Sequence, residues 1–312
     1  MICLNNGFRY CLSRLNDDEK QIYESIVAAL LNYETRFNVG KAPTSSITKA
    51  VSAVFWDNPL LFYPDKKRIG YAAGLFGTIM MFSYNYSEKE TERILSCIND
   101  KLDSFEKSYI KVNMKPLAKQ IEIHRYLQKN VKTAAMPYDR ECFSVVGSLV
   151  NGYSVCEGFA GAYKLLCDKV HLPSLIVSGT AIKADGTKEP HAWNITRING
   201  ITSHIDVTWD TSLGVGSYDY FNLTDDEIAA DHIFDRSLYP ACNDNSLCYF
   251  SMNRLTANNL VELKRIIAAN ANKEFFSVKL NFGCDVNTLS TCRFPAGNLR
   301  FNEARNIVMY SR

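Results

Sequence analysis

Gly152-Tyr153-Ser154-Val155-Cys156-Glu157-Gly158-Phe159-Ala160 is the stretch on which the reading of this chain turns. Ser154 followed three residues on by Glu157 reads as a capping box, which predicts a helix start with Cys156 in its first turn. Val155, Phe159, Ala162, Leu166 and Val170 then recur at helical spacing, so one face of that helix is expected to enter a core. A first-turn thiol lies beside unpaired backbone N–H groups and the positive end of the helix dipole, and both favour the thiolate. The position suits a nucleophile.

Further on come Pro190-His191-Ala192-Trp193-Asn194-Ile195-Thr196-Arg197-Ile198, then Asn199-Gly200, then a β-prone run from Ile201 to Asp210. Asn-Gly between two such runs is a hairpin signal. A two-residue turn there pairs Ile198 with Ile201, puts Asp206 opposite Trp193 and sets His191 opposite Thr208. His191 and Asp206 then become diagonal neighbours on one face, within reach of an imidazole–carboxylate contact. A cysteine at a helix start, with histidine and aspartate on adjacent strands, has the makings of an acyl-transfer triad.

Val155-Cys156-Glu157-Gly158-Phe159-Ala160, His191-Ala192-Trp193-Asn194 and Asp206-Val207-Thr208-Trp209-Asp210, in this order, resemble the motifs of the transglutaminase-like superfamily core. The lead-in from Ile123-His124-Arg125-Tyr126-Leu127 through Asn130 and Tyr138 fits as well, and the match covers roughly Lys115 to Tyr249. Asp57-Asn58-Pro59-Leu60-Leu61-Phe62-Tyr63 and Tyr218-Asp219-Tyr220-Phe221-Asn222-Leu223 are similar to stretches of bacterial members. The resemblance implies an α+β fold with a papain/transglutaminase-like core, in which a catalytic helix packs on an antiparallel sheet. It also implies a Cys156–His191–Asp206 triad. Tyr153 and Trp193 are candidates for contacting substrate.

Composition sets the outer limits. Apolar residues make up 46% of the 312-residue chain and charged ones 22%, as in an ordinary globular protein. A net charge of +2, with lysine and arginine scattered, argues against nucleic acid or a membrane surface as partner. No apolar run approaches the ~18 residues of a membrane span. Met1-Ile2-Cys3-Leu4-Asn5-Asn6 has no signal-peptide character, so the expected location is the cytoplasm, or outside the cell if a leader was lost. The 10 cysteines form no Cys-x-x-Cys pair, so neither a zinc knuckle nor a redox motif is indicated. Free buried thiols are the default.

Periodicity and capping signals place helices from Asn16 or Asp17 onward, over about 47–56, from Ser87 through about Phe105, and over about 116–130. The stretch 69–86 is β-prone, and Pro173 precedes a strand over 174–178. Thr224 with Glu227 caps a short helix. The tail reads as a helix over 256–269 followed by strands near 276–280 and 306–310. The expected organisation is a mainly helical region over 1–110, a catalytic core over 111–250 and a small α/β segment over 251–312.

Rival residues have plainer readings. Cys167 and His124 lie on packing faces and read as core. By strand parity His204 faces the same way as His191, and it reads as a packed or orienting histidine. Asp210 competes with Asp206, but the family motif puts the role on the aspartate before Val207-Thr208. Tryptophan in a half-buried strand usually packs, which weighs against Trp193 as a substrate contact. Asp225-Asp226-Glu227 reads as a capped helix start, not a calcium loop. No metal or cofactor is expected. The function expected is a cysteine enzyme acting on peptide or protein amide bonds, as a peptidase, amidase or acyl transferase. The alternative is a non-catalytic peptide- or protein-binding module that retains the fold.

Overall fold

The computed structural model describes residues 7–134 and 139–312. Tyr138, Cys3 and the Met1–Asn6 stretch therefore lie outside the described residues. The chain is α+β and divides into two compact units, Met1–Ile176 and Val177–Arg312. That division does not coincide with the edges expected near 110 and 250.

The first unit is mainly helical. Asp17–Leu31 starts at a capping box in which Asn16 and Glu19 exchange side-chain-to-backbone bonds. Glu88–Tyr109 starts the same way from Ser87 and Glu90. Each such cap is worth about 1 kcal/mol. Thr44–Asp57, Pro116–Asn130 and Cys156–Lys169 complete the longer helices. Ile26, Leu30, Val54, Ile98, Leu127 and Leu166 have essentially no exposed surface and mark the core. A three-stranded sheet runs in the order Arg36–Asn38, Gly77–Met81, Gly70–Gly74; its last two strands lie in the β-prone stretch, and Arg36–Asn38 was not expected.

The second unit holds the predicted hairpin. Lys188–Ile198 and Ile201–Ile205 are antiparallel, with Ile198 opposite Ile201 and Asn194 opposite Ile205. Asn199 and Gly200 both have positive φ, at 51° and 89°, as the tight turn requires. These strands sit in a five-stranded sheet in the order His232–Ile233, Ser174–Ile182, Lys188–Ile198, Ile201–Ile205, Phe221–Leu223. Ile195, Ile205, Phe221 and Ile228 are among the residues buried in this unit.

Three expectations need correction. The second hairpin strand stops at Ile205, and Val207–Leu213 is a helix with Asp206 as its N-cap, so Thr208 faces no strand partner. The helix expected over 256–269 is instead a short strand, Thr256–Ala257, followed by the helix Leu260–Asn270 capped by Asn259. That strand joins a four-stranded sheet with Phe275–Leu280, Ile307–Ser311 and Asn298–Asn302, the last of which the sequence did not signal. The Cys156 helix is buried almost all round from Gly158 to Cys167, not along one face.

Candidate active site

In the first unit, Cys156 is the first residue of the helix Cys156–Lys169, as expected, but the capping box is not there. The N-cap is Val155, and Ser154 gives its hydroxyl to the Cys142 carbonyl at 2.6 Å. The Val155 N–H bonds that same carbonyl at 3.0 Å, so one oxygen anchors the chain on its way into the helix. Ser148 adds a bond to the Gly158 carbonyl at 2.9 Å. Gly158 is a required glycine, because a Cβ there would lie 2.0 Å from Ser154 Oγ and 2.6 Å from the Ser144 carbonyl oxygen. Glu157 pairs with Lys66 at 2.6 Å instead of capping. The Cys156 thiol is thus held on a tightly fixed backbone and is partly exposed. Tyr153 is also partly exposed and donates its hydroxyl to Asp139 at 2.6 Å. Cys167 is a buried thiol that burial pushes well above the ordinary value, as a core cysteine should be.

In the second unit, His191 and Asp206 meet. His191 Nε2 lies 2.6 Å from Asp206 Oδ2, with both residues buried. The other oxygen, Oδ1, accepts the Trp209 N–H at 3.0 Å and so caps the helix Val207–Leu213. Burial alone would raise the Asp206 carboxyl, but the opposing pull of His191 and His232 wins and holds it well below the usual carboxylate range. Asp206 is therefore a carboxylate in the folded chain, and its contact fixes the orientation of the His191 ring.

Asp210, the rival carboxylate, has other partners. It is fully buried and accepts from the Tyr220 N–H at 3.0 Å and from Ser217 Oγ at 3.2 Å. Trp193 is 1% exposed and stacks beside His191, with ring centroids 6.0 Å apart, so it backs the imidazole and presents no face to a ligand. Its indole N–H donates to His204 Nδ1 at 2.9 Å, while His204 Nε2 faces Asp225 at 2.9 Å. His204 is the packed histidine the sequence suggested, and burial lowers its proton affinity more than Asp225 raises it. His124 is buried on its helix, and Thr224 with Glu227 forms the capping box.

His232 was not singled out from the sequence. Its Nε2 reaches the same Asp206 oxygen at 3.2 Å, its Nδ1 lies 2.7 Å from Asp231, and Asp231 takes the Tyr220 hydroxyl at 2.7 Å. The one signal was Tyr220, within the family-like stretch from Tyr218 to Leu223, and nothing in it pointed to His232.

Among the described residues, two groups of buried side chains have donor atoms close enough together to hold a metal ion: His191, Asp206 and His232, and His204, Asp225 and Cys242. Two ligands at about 2.0 Å from a tetrahedral ion stand roughly 3.3 Å apart. His191 Nε2 and Asp206 Oδ2, 2.6 Å apart, are at hydrogen-bond length instead. Among the described residues no helix is long and apolar enough to cross a membrane.

No family model and no curated protein matches this chain. Among solved structures, a candidate cysteine protease from Cytophaga hutchinsonii aligns at 16% identity and TM-score 0.31, over 42% of this chain and 51% of its own. A TGase aligns at 12% identity and TM-score 0.33, over 54% and 48% respectively. A candidate protease from Parabacteroides distasonis aligns at 10% identity and TM-score 0.28, over 41% and 28%. The chain thus spans about half the length of the first two. At TM-scores this low the likenesses carry no weight for fold or chemistry.

Proposed function

We propose that this chain is a transglutaminase-like cysteine enzyme, in which Cys156, His191 and Asp206 act together on the amide bonds of a peptide or protein. The observation that carries the reading is the buried His191–Asp206 pair at 2.6 Å. A carboxylate held on Nε2 leaves Nδ1 as the nitrogen through which the ring exchanges a proton with a thiol and then with a leaving amine. Cys156 at the first position of a helix supports the nucleophile's role, because its backbone N–H is among those the helix leaves unpaired and can donate to a developing oxyanion.

The thiolate would attack the acyl carbon and the His191 imidazolium would protonate the departing amine. Water would then release the acyl group as an acid, or a second amine would take it. A peptidase or amidase and a transamidase share every step up to that choice.

The test is a peptide-library screen, with and without added amines, of wild type against Cys156→Ala. Product that depends on Cys156 supports the reading, and hydrolysed or amine-linked product identifies the acceptor. Tight peptide binding by both proteins with no turnover by either would replace it with the binding-module alternative.

A further inference from the structure

We propose that His232, with Asp231 behind it, is a positioning residue for Asp206, holding that carboxylate in the one rotation that serves His191. The proposal rests on the triad reading above and adds two residues to it.

Asp206 Oδ2 takes two imidazole nitrogens, His191 Nε2 at 2.6 Å and His232 Nε2 at 3.2 Å. Oδ1 is occupied by the Trp209 N–H. With donors on both oxygens the carboxylate has no rotation left that keeps its bonds. The Asp206 backbone is fixed too, its N–H bonding the Tyr220 carbonyl at 3.0 Å.

His232 stands between two carboxylates, Asp206 on Nε2 and Asp231 on Nδ1. An ionised carboxylate only accepts, so an imidazole facing one on each nitrogen satisfies both bonds only when both nitrogens carry hydrogen. Protonated His232 and ionised Asp231 then form a couple of zero net charge at the back of Asp206. The couple supplies a donor and a nearby positive charge without adding to the buried charge that must be matched. Tyr220 donates to the far oxygen of Asp231 and closes the chain, and all of these residues are buried.

The charged and titratable groups around His232 are Asp206, Asp231, His191, His204 and Tyr220, with Arg305 stacked 5.5 Å over the Tyr220 ring. Two of them are the carboxylates His232 bonds. Trp193 and Trp209 pack against its ring at 4.8 and 4.6 Å and keep water from substituting for either bond.

The experiment uses the full chain as wild type, His232→Gln and Asp231→Asn. Ring nitrogen NMR of wild type should show His232 protonated on both nitrogens. In His232→Gln the Asp206 carboxyl should titrate at higher pH, since a donor and a positive charge that favour its ionised form are gone. Neither readout depends on activity, so they decide the proposal even if no turnover is found. Where turnover is found, His232→Gln should lower kcat by about 10- to 100-fold with KM kept, the cost seen when partners behind functional histidines are removed. The acid limb of its rate profile should move to higher pH, and Asp231→Asn should do the same to a smaller extent. A singly protonated His232, or an Asp206 titration and rate profile unchanged in a folded His232→Gln, would overturn the proposal. Loss of the fold in both variants would also overturn it, leaving the couple a purely structural element.

Discussion

Trp193 gives its indole N–H to Nδ1 of His204 across 2.9 Å, and this bond decides where His204 carries its own proton. A ring nitrogen that accepts from an N–H has no hydrogen, so neutral His204 is protonated on Nε2 and donates to Asp225. The nitrogen facing Asp225 and Cys242 therefore has no lone pair to offer a cation. Chelation with EDTA should leave activity intact, while a thiol alkylator should remove it. Loss of rate on chelation, restored by calcium or zinc, would refute this assignment.

Replacing the thiol tests the nucleophile directly. Cys156→Ala should abolish turnover and change the melting temperature little, because the side chain is only partly buried at the start of its helix. Iodoacetamide at mildly acidic pH should modify Cys156 ahead of Cys167, whose burial keeps its thiol protonated. Near wild-type activity in the alanine variant would sink the nucleophile's assignment.

Asp206→Asn should keep the fold, since an asparagine oxygen can still accept the Trp209 N–H, but it loses the charge that fixes the His191 tautomer. In serine proteases the matching change costs ~10⁴ in kcat, and a loss of several orders of magnitude is expected here. Asp210→Asn should be far milder, as Asp210 bonds Ser217 and the Tyr220 N–H, and an asparagine can still accept from both. Comparing kcat of the two variants checks this. A larger loss from Asp210→Asn would reverse the roles.

Asp219 gives a pH dependence of stability that is separate from catalysis. It shares Ser217 with Asp210, and burial, then the Asp210 charge, push its carboxyl up to about 7. The folded chain keeps a proton there that the unfolded chain releases near pH 4. The resulting stability is complete below about pH 4, falls as pH rises, and is gone above about pH 7. Asp219→Asn keeps an acceptor for Asn302 and should remove this slope, gaining on the order of 1–3 kcal/mol over wild type at pH 8. Denaturant unfolding at pH 5 and 8 measures it, and parallel slopes in the two proteins would contradict the account.

Gly158→Ala should cost about 1–3 kcal/mol, because the added methyl meets two backbone carbonyls as well as a hydroxyl. Ser144 and Cys142 supply those carbonyls, and the Cys142 carbonyl cannot move without disturbing the anchor of the Cys156 helix. A melting temperature within a degree or so of wild type would show that the loop yields.

Where the sequence was legible, a local signal had no competitor. Asn199-Gly200 set the hairpin register because the turn needs residues tolerant of positive φ, and the pairing counted outward from it held to Asn194–Ile205. Ser87 and Thr224 capped helices as read, and Asn16 caps the helix expected from Asn16 or Asp17. Ser154 carried the same signal as Ser87, but its hydroxyl is taken by the Cys142 carbonyl, a partner no window around Ser154 contains. Asp206 was read as a strand residue because Val207 and Thr208 favour strands, although aspartate is a good N-cap. Asp206 still met His191, since in the structure it directly follows Ile205, the last residue of the hairpin's second strand. His232 was out of reach: its strand is two residues long and its partner Asp206 is 26 residues away.

The two oxygens of Asp206 link its side-chain orientation to the folding of the second unit. One oxygen starts the helix Val207–Leu213 and the other holds His191. A seven-residue helix has almost no stability of its own in water. It exists because the surrounding domain exists, and while it exists the Asp206 carboxylate cannot turn away from the imidazole. The His191–Asp206 geometry is inherited from the folding of its own unit, so on heating that contact and the second unit's structure should be lost together.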